Sequence, residues 1–357
     1  MLCPNHPCCS SYKGGYEEIQ NYFTSNKIPF SIIPGKFECS RVRSKLAVRG
    51  SSQKPLIGLF KPGTHEVYEI PHCIIHHPTI NEMIQKTKKW IIQHQIEPYS
   101  EKTHTGLLNY IQCVIDRSSG KVQLSFVLKA RSKEFEKAIL YLVDSKIHSL
   151  WININPASGN TIFGSEWILI YGEKWIHESI AGISVYYLPG SFGQANLDLF
   201  EKLILSIQKQ LPYQKRIGEF YAGVGAIGLA LASQASQVFL SEVNPKSKEC
   251  FEKTQQHLSK EILNKVSFRL AKTEDVLEIL NEVEIAIVDP PRKGLDRAFI
   301  SALIRSKLEI LVYVSCSFPS LKRDLECLKE WKVIKAEGYP FFPGTPHLET
   351  LCFLEKK

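Results

Sequence analysis

From Lys215 to its last residues the chain alternates strand-like apolar segments with helix-forming ones, and this rhythm constrains its fold more than any other feature. The order is IGEFYA, a helix from Ala226, QVFLSEV, a helix from Lys246, VSFRL, IAIVD, a helix from Arg297, ILVYVS, a helix from Pro319, WKVIKAEGY and LETLCFL. Strands alternating with helices predict an α/β unit with a parallel, doubly wound sheet. Ligands of such sheets bind beyond the carboxyl ends of the strands, so the residues at those ends carry the functional reading. An amphipathic helix over Ala195–Gln208, with Leu197, Phe200, Leu203 and Ile204 on one face, leads into the unit.

The first half reads differently. Residues 1–75 are irregular and rich in Pro, Gly, Ser and Cys, with a short helix expected at Tyr16–Phe23 and strands near Leu46–Val48 and Leu56–Phe60. They are expected to form a small N-terminal module. Residues 76–189 pass from a helix (Ile80–Gln95) to LLNYIQCVID, a Ser118-Ser119-Gly120 turn, VQLSFVLKA, a helix near Lys133–Asp144, LWININ and WILIYG, which predicts an α+β central domain. Residues 190–357 form the third unit. Most of the net charge of +8 lies early: residues 1–180 hold 21 Lys/Arg against 15 Asp/Glu. That bias predicts that the first half meets a polyanion. The chain has no run of about 18 uncharged apolar residues and no signal-like apolar start, so a cytoplasmic protein without a membrane partner is expected. Its ten cysteines are dispersed through a large apolar chain and mostly read as reduced core thiols. Nothing implies a protein partner.

Four strand ends hold chemistry. Gly223 and Gly225 sit where the first strand turns into its helix, and Glu242 ends the second strand about twenty residues on, placed to accept hydrogen bonds from ribose hydroxyls. Gly223, Gly225 and Gly228 also fit the dinucleotide spacing, so the glycines alone leave a dinucleotide and an adenosyl cofactor equally open. Asp289 ends the fourth strand, followed by two stiffening prolines and Arg292. Cys316 closes ILVYVS at the entrance to a helix, where backbone N–H groups are expected to favour thiolate. Glu349 opens the last strand and is the candidate general base.

Five ordered motifs resemble those of the RNA 5-methyluridine methyltransferases: Phe192-Gly193-Gln194-Ala195-Asn196, Phe220-Tyr221-Ala222-Gly223-Val224-Gly225, Asp289-Pro290-Pro291-Arg292-Lys293-Gly294, Val314-Ser315-Cys316 and Pro346-His347-Leu348-Glu349. The resemblance implies a Rossmann-like, seven-stranded methyltransferase domain preceded by an α+β RNA-binding domain. It implies S-adenosylmethionine held by Gln194, Tyr221, Glu242 and Asp289, with Cys316 as nucleophile and Glu349 as base. Uracil carbon 5 is too weak a nucleophile to take a sulfonium methyl unaided; a thiolate added at carbon 6 makes it enolate-like. Arg43-Ser44-Lys45 and Lys54–Phe60 resemble the ribosomal RNA branch without an appended β-barrel, which implies a uridine of 23S ribosomal RNA as substrate. The shared motifs leave a tRNA uridine as the alternative. Glu219, Ala222, Ala226 and Ser317 depart from the family pattern, and Ala226 and Ser317 keep an RNA-binding protein without catalysis in view. Relatives hold a [4Fe-4S] cluster on four cysteines. Here Cys3, Cys9 and Cys73 are the candidate ligands, Cys8 adjoins Cys9, and Ser10, Ser11 and Tyr12 stand where a further cysteine is expected. His6, His72, His76 and His77 read as surface or core residues rather than zinc ligands.

Overall fold

The computed structural model describes residues 15–61, 63–159 and 161–357. These form two compact units, one of residues 36–178 and 188–190, the other of residues 15–35, 179–187 and 191–357. Helix α1 (Glu17–Ser25) and strand β1 (Phe30–Ile32) open the described chain and belong to the second unit.

The first unit contains β2 (Arg43–Gly50), β3 (Pro55–Phe60), β4 (Val67–Glu69), α2 (Pro78–Gln93), β5 (Leu108–Ile115), β6 (Val122–Leu128), α3 (Lys133–Ala138), β7 (Ile147–Ile154) and β8 (Glu166–Gly172). Its sheet runs β4-β3-β2-β5-β6-β7-β8, antiparallel except at β6–β7. A parallel pair needs a crossover, and α3 with a 3₁₀ turn at Ile139–Leu142 supplies it. Trp90 of α2 packs edge-on to Phe135 and against Phe126, and its indole N–H donates to the Ala138 carbonyl at 2.9 Å. The expected single helix over Lys133–Asp144 is thus α3 followed by a tighter turn.

Residues 15–75 do not stand as a module of their own. Strands β2–β4 share a sheet with β5–β8, through pairs such as Arg43 with Val114 and Ala47 with Tyr110, whereas β1 joins the other unit. These are long-range pairings, which a local hydrophobic pattern does not encode.

After a hairpin of β9 (Ile176–Ile180) and β10 (Ile183–Tyr187), the second unit continues through α4 (Leu197–Gln210), β11 (Arg216–Phe220), α5 (Ala226–Leu231), β12 (Gln237–Glu242), α6 (Pro245–Gln255), α7 (Lys260–Leu263), β13 (Val266–Leu270), β14 (Ile285–Val288), α8 (Arg297–Arg305), β15 (Ile310–Ser315), α9 (Phe318–Cys327), β16 (Trp331–Tyr339) and β17 (Glu349–Lys356). The sheet order is β1-β16-β17-β15-β14-β11-β12-β13. All seven strands read from the sequence are present, and β1 adds an eighth, parallel to β16 through Phe30 and Ala336. Its neighbour α1 buries Ile19 and Phe23 in the core, with Phe23 stacked on Phe30 at 5.0 Å. Strand β17 runs antiparallel to both neighbours. Because β12 and β13 lie to one side of β11 and β14 and β15 to the other, the strand order reverses between β11 and β14, opening a crevice there. Among the described residues no helix is long and apolar enough to cross a membrane.

Candidate active site

The loop leaving β11 is shaped by its backbone. Tyr221 (φ 59°), Gly223 (φ 56°) and Gly225 (φ 82°) all take left-handed conformations. A Cβ on Gly225 would also meet Leu240 Cδ1 at 2.7 Å, so only glycine fits there, whereas Gly223 faces open space. Tyr221 bears a cost of about 1–2 kcal/mol for its backbone. Its hydroxyl bonds to Thr273, and burial pushes it up to about 12. The carboxylate of Glu242, at the end of β12, locks the turn: one oxygen accepts from Gly223 N–H at 2.9 Å, the other from Val243 and Asn244 N–H at 2.8 Å each. The expected ribose partner is thus first a brace for its own turn. Three of the roughly four lone-pair directions of a carboxylate are taken before any ribose arrives.

A narrow cleft opens over this loop, lined by Gln194, Glu219, Tyr221, Gly223 and Asp289 among others. Gln194 is brought there by the turn before α4, which Asn196 caps by accepting from Leu199 N–H at 3.1 Å. Glu219, a departure from the family pattern, is a buried acid facing the cleft. It accepts from Gly228 N–H at 2.7 Å, and burial pushes it up to about 8. Asp289, partly buried at the end of β14, is pushed up to about 7, first by burial and then by the charge of Glu242.

Cys316 and Glu349 meet because of sheet register. Ser315 pairs with Thr350 across the antiparallel β15–β17 ladder, so the next residue of one strand lies beside the preceding residue of the other. Glu349 is buried, and its Oε1 has no hydrogen-bond partner among the described residues. Burial and then Asp289 raise its carboxyl well above the usual range, while Arg292 pulls the other way. The expected thiolate at Cys316 does not hold in this state. Burial, then Glu349 and Asp289, push the thiol up to about 11, outweighing Arg292 and its own backbone N–H. Two acidic neighbours and a half-buried sulfur overcome the helix entrance, which begins only at Phe318.

The structure thus gathers Gln194, Tyr221, Glu242, Asp289, Cys316 and Glu349 at one sheet edge. Cys73 is elsewhere, buried between Ile70 and Ile75 in the first unit, with its backbone N–H and carbonyl both bonded to the Asn81 side chain. Cys3, Cys8, Cys9 and His6 lie outside the described residues, among which no three His, Cys, Asp or Glu side chains form a metal-binding group. His76 is a core residue beside Ser44, burial lowering it to about 3, and His77 caps α2. Of the described cysteines, Cys73, Cys113, Cys250 and Cys352 are buried.

A crevice at the reversal point of a doubly wound sheet, floored by a glycine turn, is where α/β enzymes bind nucleotide-like cofactors. Residues 18–357 match the family model described as tRNA (Uracil-5-)-methyltransferase, and the chain belongs to that family of RNA (uracil-5-)-methyltransferases, enzymes whose methyl donor is S-adenosylmethionine. It is 43% identical over 328 residues to an uncharacterized RNA methyltransferase of Protochlamydia amoebophila, covering 88% of this chain and 86% of that one. An uncharacterized RNA methyltransferase of Nostoc is 30% identical over 83% of this chain and 66% of its own length. In fold the chain is similar to the Pyrococcus abyssi tRNA (uracil-54, C5)-methyltransferase, crystallised with S-adenosyl-L-homocysteine, with a TM-score of 0.77 and 24% identity over 95% of this chain and 83% of that one.

Proposed function

We propose that the enzyme methylates carbon 5 of a uridine in RNA through a covalent adduct between Cys316 and carbon 6. The observation that carries this reading is the β15–β17 register, which sets a thiol beside a buried carboxylate with an unpartnered oxygen. The Cys316 sulfur adds to carbon 6 and its proton leaves to solvent. Carbon 5, now enolate-like, takes the methyl group. The Glu349 carboxylate removes the carbon 5 proton, the double bond re-forms, and the carbon–sulfur bond breaks to return the thiolate. A buried carboxylate is a stronger base than an exposed one once ionised, which suits Glu349 to that step.

The cleft fits an adenosyl sulfonium. Gly223 leaves room for close approach, Glu242 keeps a lone pair for a ribose hydroxyl, and Asp289 offers a carboxyl that a cation would ionise. S-adenosylmethionine supplies an electrophilic methyl on a cationic sulfur. A positive charge bound in the cleft also lowers the pKa of Asp289, Glu349 and Cys316, favouring the ionised forms that the reaction uses.

For the substrate, the motifs of the first half favour a uridine of 23S ribosomal RNA. A tRNA uridine is the second reading, favoured by the name of the family and by the tRNA enzyme of similar fold. The basic first unit supplies the RNA-binding domain in either case, and reading the base edge requires the uridine to leave its stack. Methylating 23S ribosomal RNA and tRNA separately, with 5-methyluridine mapped in each, tests the choice. Product in ribosomal RNA alone is the expected result; product in tRNA alone selects the second reading. Trapping with 5-fluorouridine RNA tests the adduct, because fluorine at carbon 5 cannot leave as a proton does. RNA binding without a covalent complex defeats the mechanism.

A further inference from the structure

The loop that follows Asp289 is fastened to the helix that follows Cys316. Asp324 of α9 has no solvent exposure, and one of its oxygens accepts from Leu295 N–H at 2.8 Å and from the Tyr313 hydroxyl at 2.7 Å. Its other oxygen accepts from Arg323 Nε and Nη2 at 2.9 and 2.6 Å. Arg323 Nη2 also donates to the Lys293 carbonyl at 2.7 Å, and Ser320 Oγ donates to the Arg292 carbonyl at 2.6 Å. Loop and helix are in such close approach that a Cβ on Gly294 (φ 77°) would lie 2.5 Å from both Arg323 Nη2 and Asp324 Oδ2. Three of the four loop residues Arg292–Leu295, all but Gly294, are therefore tied to one turn of α9.

We propose that Asp324 is a positioning residue: with Arg323 and Ser320 it clamps the Asp289–Leu295 loop onto α9 and so fixes the Arg292 guanidinium relative to the Cys316 thiol and the Glu349 carboxyl. Arg292 is the cation that opposes the negative neighbours of both groups. The groups facing this cluster are Asp289 just after β14, Glu349 at the start of β17 with His347 before it, Cys316 just after β15 and Arg292 from the loop itself. A loop free to drift takes its cation away, and the thiol is then left with two acids and a partly apolar wall.

The inference rests on Cys316 as the nucleophile, so its test uses neither RNA nor cofactor. Alkylation of Cys316 by iodoacetamide, resolved by peptide mass spectrometry across pH, reports the thiolate fraction. Asp324→Asn is expected to slow Cys316 by about three- to tenfold at pH 8.5, a tenfold change corresponding to one pKa unit. Arg292→Gln should slow it as much or more, and the double variant no further than Arg292→Gln alone. General loosening does the opposite: it speeds Cys316 and exposes buried Cys352. An unchanged rate in folded Asp324→Asn overturns the proposal, as do effects that multiply in the double variant or a faster Cys316. Should Asp324→Asn fail to fold, Ser320→Ala carries the test, with about a twofold slowing expected and epistatic to Arg292→Gln; a wild-type rate there overturns it equally. A 5-fluorouridine adduct that forms in Cys316→Ala defeats the nucleophile without touching the alkylation result, so the two failures are distinguishable.

Discussion

Glu242 and Glu349 stand at the same edge of the same sheet, and their surroundings could hardly differ more. Glu242 spends its carboxylate on three backbone N–H groups and holds a turn; Glu349 is buried with an oxygen left unpaired. A saturated carboxylate fixes geometry, whereas an unsatisfied one in a low-dielectric setting keeps its affinity for a proton. The contrast separates a residue that shapes a binding site from one suited to proton transfer, though both are glutamates at strand ends.

The largest effect expected is on the partner of Glu349. Cys316→Ala should abolish methyl transfer, by about 10⁴-fold or more, and leave no adduct with 5-fluorouridine RNA on denaturing gels. Glu349→Gln should cut turnover by about 10²–10⁴-fold while still adding to carbon 6, so that an RNA–protein adduct accumulates on ordinary substrate. Full turnover in that variant would erase the distinction drawn here. Glu242→Ala should weaken S-adenosylhomocysteine binding by calorimetry about tenfold, the cost of releasing the turn being about 1–3 kcal/mol, whereas Glu349→Gln should bind it within about threefold of wild type. Equal losses in the two would mean that both shape the cleft.

The smallest effect concerns Glu219. Its folded-state pKa is raised to about 8, so the stability that it contributes is full below the ordinary glutamate range and is lost as pH rises toward 8. Between pH 5 and 8 the wild-type melting temperature should fall, and Glu219→Gln should flatten that fall by about 3 °C. A parallel fall in both proteins would show that Glu219 ionises without cost to the fold.

Much of this site was legible because its residues sit where a periodic pattern ends. The strand and helix rhythm after Lys215 places Gly223, Glu242, Asp289 and Cys316 on one edge, and α4 begins at Leu197, two residues inside its expected start. What the sequence hid are properties set by neighbours distant along the chain. Local position puts Cys316 at a helix entrance, but its thiol answers to burial, Glu349 and Asp289. Asp324 looked like an ordinary helix residue, because its partners Tyr313 and Leu295 lie on other elements. The brief FSI of β1 carried no signal, since three residues acquire a strand's meaning only from their partner.

That small strand also sets an order of assembly. Phe30–Ile32 leaves the ribosome roughly 300 residues before the Ala336–Gly338 segment with which it pairs. At about 5–20 residues per second this is a wait of about 15–60 s. Throughout it, β2 to β8 are all synthesised and have one another as partners. The first unit can therefore mature before β1 finds its partner. The second sheet gains β1 as its outermost strand only once β16 has been made.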